Sequence, residues 1–128
     1  MEKLTPLLWT NDLQATIEFY TGILHFELDE YNADWGWCHL HNNAVSIMFS
    51  KPNEHAAYNG SPMLTGSFYI YIATVDELWN KVKDKTKVVY NLANFEHGMR
   101  EFAIYDNNGY MLQFGRGLKE GEEPDTFG

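Results

Sequence analysis

The chain switches between two hydrophobic periods. Leu4–Thr10 is short, apolar and broken by Pro6. It predicts a strand with the proline at an edge or hinge, because proline cannot donate to a ladder. Asn11-Asp12 supplies an N-cap, and Leu13, Ile17, Tyr20 and Leu24 then recur at helical spacing, with Gly22 as a helix stop. Phe26–Tyr31, Cys38–Leu40 and Ala44–Phe49 read as strands, with Asp34-Trp35-Gly36-Trp37 and His41-Asn42-Asn43 at the turns between them. Pro52, Asn53, Gly60, Ser61 and Pro62 mark residues 50–65 as a linker. The same order then begins again. Gly66–Ala73 alternates as a strand, and Thr74 caps a helix whose Val75, Leu78, Trp79 and Val82 share one face. Lys87–Tyr90 is a strand, and Arg100–Tyr105 and Tyr110–Phe114 form a hairpin around Asp106-Asn107-Asn108-Gly109. Residues 118–128 are acidic and glycine-containing and are expected to form a mobile tail.

Strand, helix and three strands therefore occur twice, over about 4–50 and 66–115, within a single domain spanning 1–117. The expected class is α+β, with two βαβββ modules whose curved sheets surround a groove. Each helix covers one face of its sheet and leaves the other face free. On the fifth strand, Phe68, Ile70 and Ile72 are expected under the helix, and Ser67, Tyr69 and Tyr71 toward the groove.

Composition sharpens this picture. Aromatics make up 16% of the 128 residues, with four Trp, eight Tyr and eight Phe. So many rings in a small core point to a cavity or an interface lined by some of them. The formal net charge of −9 repels a phosphate backbone and an anionic membrane surface and attracts a cationic ligand. Acidity also keeps a protein soluble, whatever its ligand. Cys38 is the sole cysteine, so no internal disulfide forms, which suits a reducing cytoplasm. No run approaches the ~18 apolar residues of a membrane span, and MEKLTPLLWTND is too short and too acidic for a signal peptide.

Three stretches carry a family resemblance. NDLQATIEFYTGILHFEL has an acidic N-cap, a Phe-Tyr pair and a turn that reads Leu24-His25-Phe26. GSFYIYIATVDELW opens the second module, and REFAIYDNNG closes it, with Asn107 where proline is usual. In order and spacing they resemble the glyoxalase/bleomycin resistance/dioxygenase superfamily, the vicinal oxygen chelate proteins, from about Leu4 to Gly115. The resemblance implies one of two chemistries. Enzymes of this family hold a divalent metal with four groove-facing side chains, and the metal acts as a Lewis acid. Antibiotic-binding members hold none and sequester a cationic, aromatic drug in dimer crevices.

Carried onto this chain, the four ligand positions of the enzymes fall at Thr5, at Ile47 or Met48, at Ser67 and at Gln113. Divalent metals want imidazole, thiolate or carboxylate, and here only the Gln113 amide offers a ligating oxygen. No metal and no other cofactor is expected. His39 and His41 share a strand face but lack an acidic residue placed by the pattern to complete a site. Cys38 would need a base to act as a nucleophile, and His39 points to the opposite face.

The rings are the stronger candidates. Trp9 has the parity of Thr5, and Tyr69 and Tyr71 that of Ser67. Tyr31, Trp35 and Trp37 lie where the antibiotic-binding members keep aromatics. Phe95 lies near a stacking tryptophan of those members, and His97 stands beside it at the groove mouth. The expected ligand-binding set is thus Trp9, Tyr31, Trp35, Trp37, Ser67, Tyr69, Tyr71, Phe95, His97 and Gln113. The rival location for any of these rings is the core or a dimer interface, and Trp79 belongs to the core face of its helix.

The expected function is a metal-free, bleomycin-resistance-like protein of the cytoplasm. It sequesters a small cationic or aromatic molecule, such as a glycopeptide antibiotic. The expected assembly is a homodimer, with no nucleic-acid or membrane partner; Pro6 is either the hinge of an exchanged first strand or a simple edge proline, and the sequence leaves both open. The first rival is a metal-dependent lyase or oxidoreductase of the glyoxalase or dioxygenase type. The second is an orphan ligand-sensing or interaction module.

Overall fold

A computed structural model describes residues 1–54 and 57–126, which fall into two compact units, Met1–Met63 and Leu64–Gly128. In the first, β1 (Leu7–Trp9) leads into α1 (Leu13–Gly22), followed by β2 (Glu27–Asn32), β3 (Trp37–Asn42) and β4 (Val45–Ser50). The sheet runs β1-β4-β3-β2, with β1 parallel to β4 and the other pairs antiparallel. The second unit repeats this with β5 (Phe68–Tyr71), α2 (Val75–Val82), β6 (Lys87–Asn94), β7 (Met99–Tyr105) and β8 (Met111–Gly117), ordered β5-β8-β7-β6. These are two βαβββ modules in an α+β fold, and the two four-stranded sheets are open ones.

Local chemistry sets the boundaries. The Ala15 amide donates to the Asp12 carboxylate at 3.0 Å and so caps α1. The Ile23 amide closes the last turn on Phe19. His25 then takes a left-handed conformation, φ 58°, which lets the chain turn into β2. Thr74 stands at the N-cap of α2 without a side-chain cap bond, and Asp76 and Glu77 supply first-turn carboxylates to the helix dipole. Pro6 precedes β1 and accepts the Met48 amide through its carbonyl, so the missing N–H costs the ladder nothing here.

Each unit has its own core on the helix side of its sheet. Tyr20, Leu24, Phe26, Cys38, Leu40, Ile47 and Phe49 are buried in the first, and Tyr20 meets Phe26 and Phe49 ring to ring at 5.4 and 5.1 Å. Val75, Val82, Phe102, Ile104, Leu112 and Phe114 are buried in the second, where Trp79 lies 5.1 Å from Phe102.

A bulge in the second strand of each module reassigns side chains. In β2 the register shifts between Leu28 and Glu30, so Asp29 has no ladder partner of its own. Without the shift, alternation would place Tyr31 on the free face. With it, Tyr31 pairs with buried Cys38 and lies on the α1 side. In β6 the shift between Val88 and Tyr90 acts the other way. Val88 opposes buried Ile104, and Tyr90 opposes Ala103 on the face away from α2.

The segment expected as a mobile tail is bonded to β6 and β8 as far as residue 125. Asn94 and Asp125 exchange backbone and carboxylate bonds at 2.8 Å, the Asn94 amide group donates to the Glu123 carbonyl, and Arg116 forms a two-pronged pair with Glu122. Its last two residues lie outside the described part.

Candidate functional site

Glu101 occupies the middle of β7 with only 2% of its surface exposed, although a charged side chain in a hairpin strand ordinarily faces water. Strand parity turns it away from α2, since its neighbours Phe102 and Ile104 take the helix side. Four groups close over its carboxyl. On Oε1, the Tyr69 hydroxyl donates at 3.2 Å and His97 Nε2 stands at 2.5 Å. On Oε2, the Tyr90 hydroxyl donates and the Gln113 amide N–H donates at 3.3 Å. The Gln113 amide also donates to the Tyr90 oxygen at 2.8 Å, and its own oxygen accepts from the Ser67 hydroxyl. The result is a connected polar network on four strands, with each polar atom satisfied as burial demands.

Several local features make this arrangement possible. Gly115 opposes Glu101 across the β7–β8 ladder, and a Cβ there would collide with the Tyr69 hydroxyl and crowd Glu101. The glycine is the gap through which Tyr69 reaches the carboxyl. The β6 bulge delivers Tyr90. The turn from Phe95 to Gly98, closed by the Gly98 amide on the Phe95 carbonyl at 3.0 Å with Gly98 at φ 87°, presents His97.

Rings line the approach. His97 stacks on Phe95 at 5.6 Å with 21° between planes, Tyr90 meets Phe95 edge-on at 5.3 Å, and Tyr69 and Tyr71 lie 5.1 Å apart. Burial pushes the Tyr90 hydroxyl up to about 12, with the Glu101 charge and bond reinforcing it and the Gln113 bond opposing it. Tyr69 is driven further above the ordinary tyrosine range by burial, then by the charge of Glu101 and the bond to it. Both phenols therefore remain protonated donors at neutral pH.

Of the residues singled out in the sequence, Ser67, Tyr69, Phe95, His97 and Gln113 come together here, with Tyr71 against Tyr69. Glu101 and Tyr90 were missed. A charge in a hairpin strand ordinarily faces water, and the β6 bulge hides the parity of Tyr90. The useful signal was Gly115, a glycine inside a strand, directly across from a carboxylate.

The remaining candidates lie in the first unit. Trp9 packs edge-on against Tyr58 at 5.7 Å. Tyr31 is on the α1 side and exposed, and Trp35 is exposed at the turn. Trp37 opposes Ser50 on the free face. His39 and His41 also share that face, where Asp29 bonds His41 Nδ1 at 2.6 Å and Glu27 and Ser46 lie 3.4 and 3.2 Å from ring nitrogens. Cys38 is fully buried on the helix side, and burial pushes its thiol up to about 11.

The metal positions implied by the resemblance carry side chains of the wrong kind. Register selects Met48 rather than Ile47 for the free face: Met48 opposes His39, whereas Ile47 opposes Leu40 in the core. The set is then a threonine hydroxyl, a thioether, a serine hydroxyl and an amide. The amide oxygen is already taken by Ser67. Those donors do not fit a divalent cation. Among the described residues, no three or more His, Cys, Asp or Glu side chains are grouped so that they could hold a metal ion. No helix among them is long and apolar enough to cross a membrane.

Comparison with known proteins places the chain. No curated protein matches its sequence significantly. Solved structures match its fold closely. TioX from Micromonospora sp. ML1 superposes with a TM-score of 0.76 at 15% identity, over 92% of this chain and 100% of that one. A glyoxalase/bleomycin resistance protein/dioxygenase from Nocardioides gives 0.76 at 18% identity, over 100% and 91%. A lactoylglutathione lyase from Agrobacterium tumefaciens gives 0.68 at 18%, over 95% and 98%. At such identities these likenesses establish the fold alone. The family model for the Glyoxalase/Bleomycin resistance protein/Dioxygenase superfamily matches residues 4–114, nearly the whole of both modules, and the chain belongs to that superfamily.

Proposed function

We propose that this protein binds a small cationic or aromatic molecule and sequesters it without a catalytic metal, as the bleomycin-resistance-like members of its superfamily do. The observation that carries this reading is Glu101. Its carboxyl is held by two phenols and an amide, with His97 at the surface and, among the described residues, no Lys or Arg paired to it. A buried carboxylate ordinarily keeps a cationic partner, and a ligand cation fills that role. Tyr69, Tyr71, Tyr90 and Phe95 offer ring faces and edges around it, each cation–π contact contributing about 0.5–2 kcal/mol. The net charge of −9 adds attraction at long range. The hydroxyl, thioether and amide at the four metal positions support holding over Lewis-acid chemistry. In this reading the protein works as a homodimer.

Titration calorimetry with a metal-free bleomycin-type glycopeptide tests the reading. Saturable heat at one ligand per chain and a raised melting temperature are expected. No heat together with no thermal stabilisation removes that ligand class. One tightly held nickel, zinc or iron per purified chain would instead favour a lyase or dioxygenase.

A further inference from the structure

His97 differs from the other partners of Glu101. Tyr69, Tyr90 and Gln113 are half-buried and built into the sheet, whereas the His97 side chain is 59% exposed and sits on a four-residue turn. Its imidazole is flat, lies nearly parallel to the Phe95 ring and aims Nε2 at Oε1 of the carboxyl. A planar N–H group stacked on a phenyl face and bonded to a buried carboxylate is the geometry expected of a bound heteroaryl cation. We infer that His97 is a built-in stand-in for the ligand. The site takes a flat cation bearing N–H donors, an aryl amidinium, guanidinium or imidazolium, which displaces His97, stacks on Phe95 and bonds Oε1 of Glu101.

The exchange leaves the carboxyl aimed. Tyr90 and Gln113 hold Oε2 from β6 and β8, and Tyr69 still donates to Oε1. Only the exposed side of Oε1 is vacated. A tetrahedral ammonium could pair with the carboxylate but could not stack on Phe95, so planarity is part of the selection. Because His97 competes for the same place, affinity in the native chain is reduced by the fraction of time the stand-in is seated. This inference rests on the binding role given to Glu101 above, and its test separates the two.

The probe is benzamidine, with neutral benzamide as its isostere, titrated into the full chain and into His97→Ala, a change at an exposed position whose fold is checked by circular dichroism. The His97→Ala chain is expected to bind benzamidine about tenfold tighter than wild type, with benzamide bound by neither. In wild type, benzamidine is expected to move the His97 ring resonances in histidine-labelled NMR spectra. Equal or weaker binding by His97→Ala overturns the inference, as does benzamide binding as well as benzamidine. Glu101→Gln, its fold checked by circular dichroism, is expected to lose benzamidine at least about tenfold, and retained affinity is a second way to overturn it. If that variant does not fold, the His97→Ala and benzamide comparisons decide alone. Glycopeptide binding with benzamidine refused by both chains overturns this inference and leaves the sequestering role standing. Benzamidine bound by His97→Ala with glycopeptide refused by wild type does the reverse.

Discussion

The hydroxyl of Tyr69 passes over the bare α-carbon of Gly115 to reach Glu101. A methyl group at residue 115 would occupy the space of that hydroxyl and press on the Glu101 stem, so Tyr69 must leave its place against the carboxyl. Gly115→Ala is therefore expected to destabilise the protein by about 1–3 kcal/mol, the usual cost of overpacking. It should also free Tyr69, which then titrates nearer an ordinary phenol. Urea denaturation measures the first effect and ultraviolet absorbance on alkaline titration the second. Unchanged stability with unchanged Tyr69 titration would contradict the packing described.

Alkali probes the same network. Tyr90 is pushed up to about 12, above the ordinary phenol range, and Tyr69 is raised further, with burial the largest cause for both. A group whose pKa is raised on folding contributes stability that is complete below its unfolded value and disappears as pH climbs through its folded one. The expected outcome is constant stability up to about pH 10, followed by a decline between about 10 and 12. Tyr90→Phe should shallow that decline. A decline as steep in Tyr90→Phe as in wild type would show that this phenol is not responsible.

Cys38 should be inert. It is fully buried, and burial pushes its thiol up to about 11. At pH 7 the native chain is expected to resist a maleimide for hours, and denaturant should expose one reactive thiol. Rapid native labelling would mean that the α1 face of the first sheet opens.

His25 holds a left-handed conformation that costs a residue with a Cβ about 1–2 kcal/mol. His25→Gly removes that cost and returns part of it as unfolded-chain entropy, so a net gain of up to about 1 kcal/mol is expected. His25→Val should lose about 1 kcal/mol or more, because a branched side chain tolerates positive φ worst. Equilibrium unfolding of the pair gives the answer, and a ranking of Val above Gly would refute it.

The two-module plan was legible because its signals were local. Asp12 ahead of an apolar helical face, the alternation of Phe68–Tyr71 and the Asp106–Gly109 turn each specify an element without reference to the rest of the chain. The parity of β5 was also legible: Tyr69 opposes Gln113, and Phe68 opposes buried Leu112. The centre of the site was not. Glu101 is buried by side chains from β5, β6, β8 and a turn, none adjacent to it in sequence. Tyr90 and Tyr31 lie beyond bulges, and one extra residue exchanges the faces of all that follow. Bulges are set by pairing across strands, so alternation counted along one strand could not reveal them.

Asp29 gives β2 a spare residue that β3, paired without interruption to β4, does not have. A shorter chain lacking that aspartate would keep Glu27, Glu30 and Asn32 beside the same β3 neighbours, whereas losing a residue from β3 would turn part of that strand inside out. Length differences among kindred chains should gather at this spot, and a gap there says nothing about which side chains its owner buries.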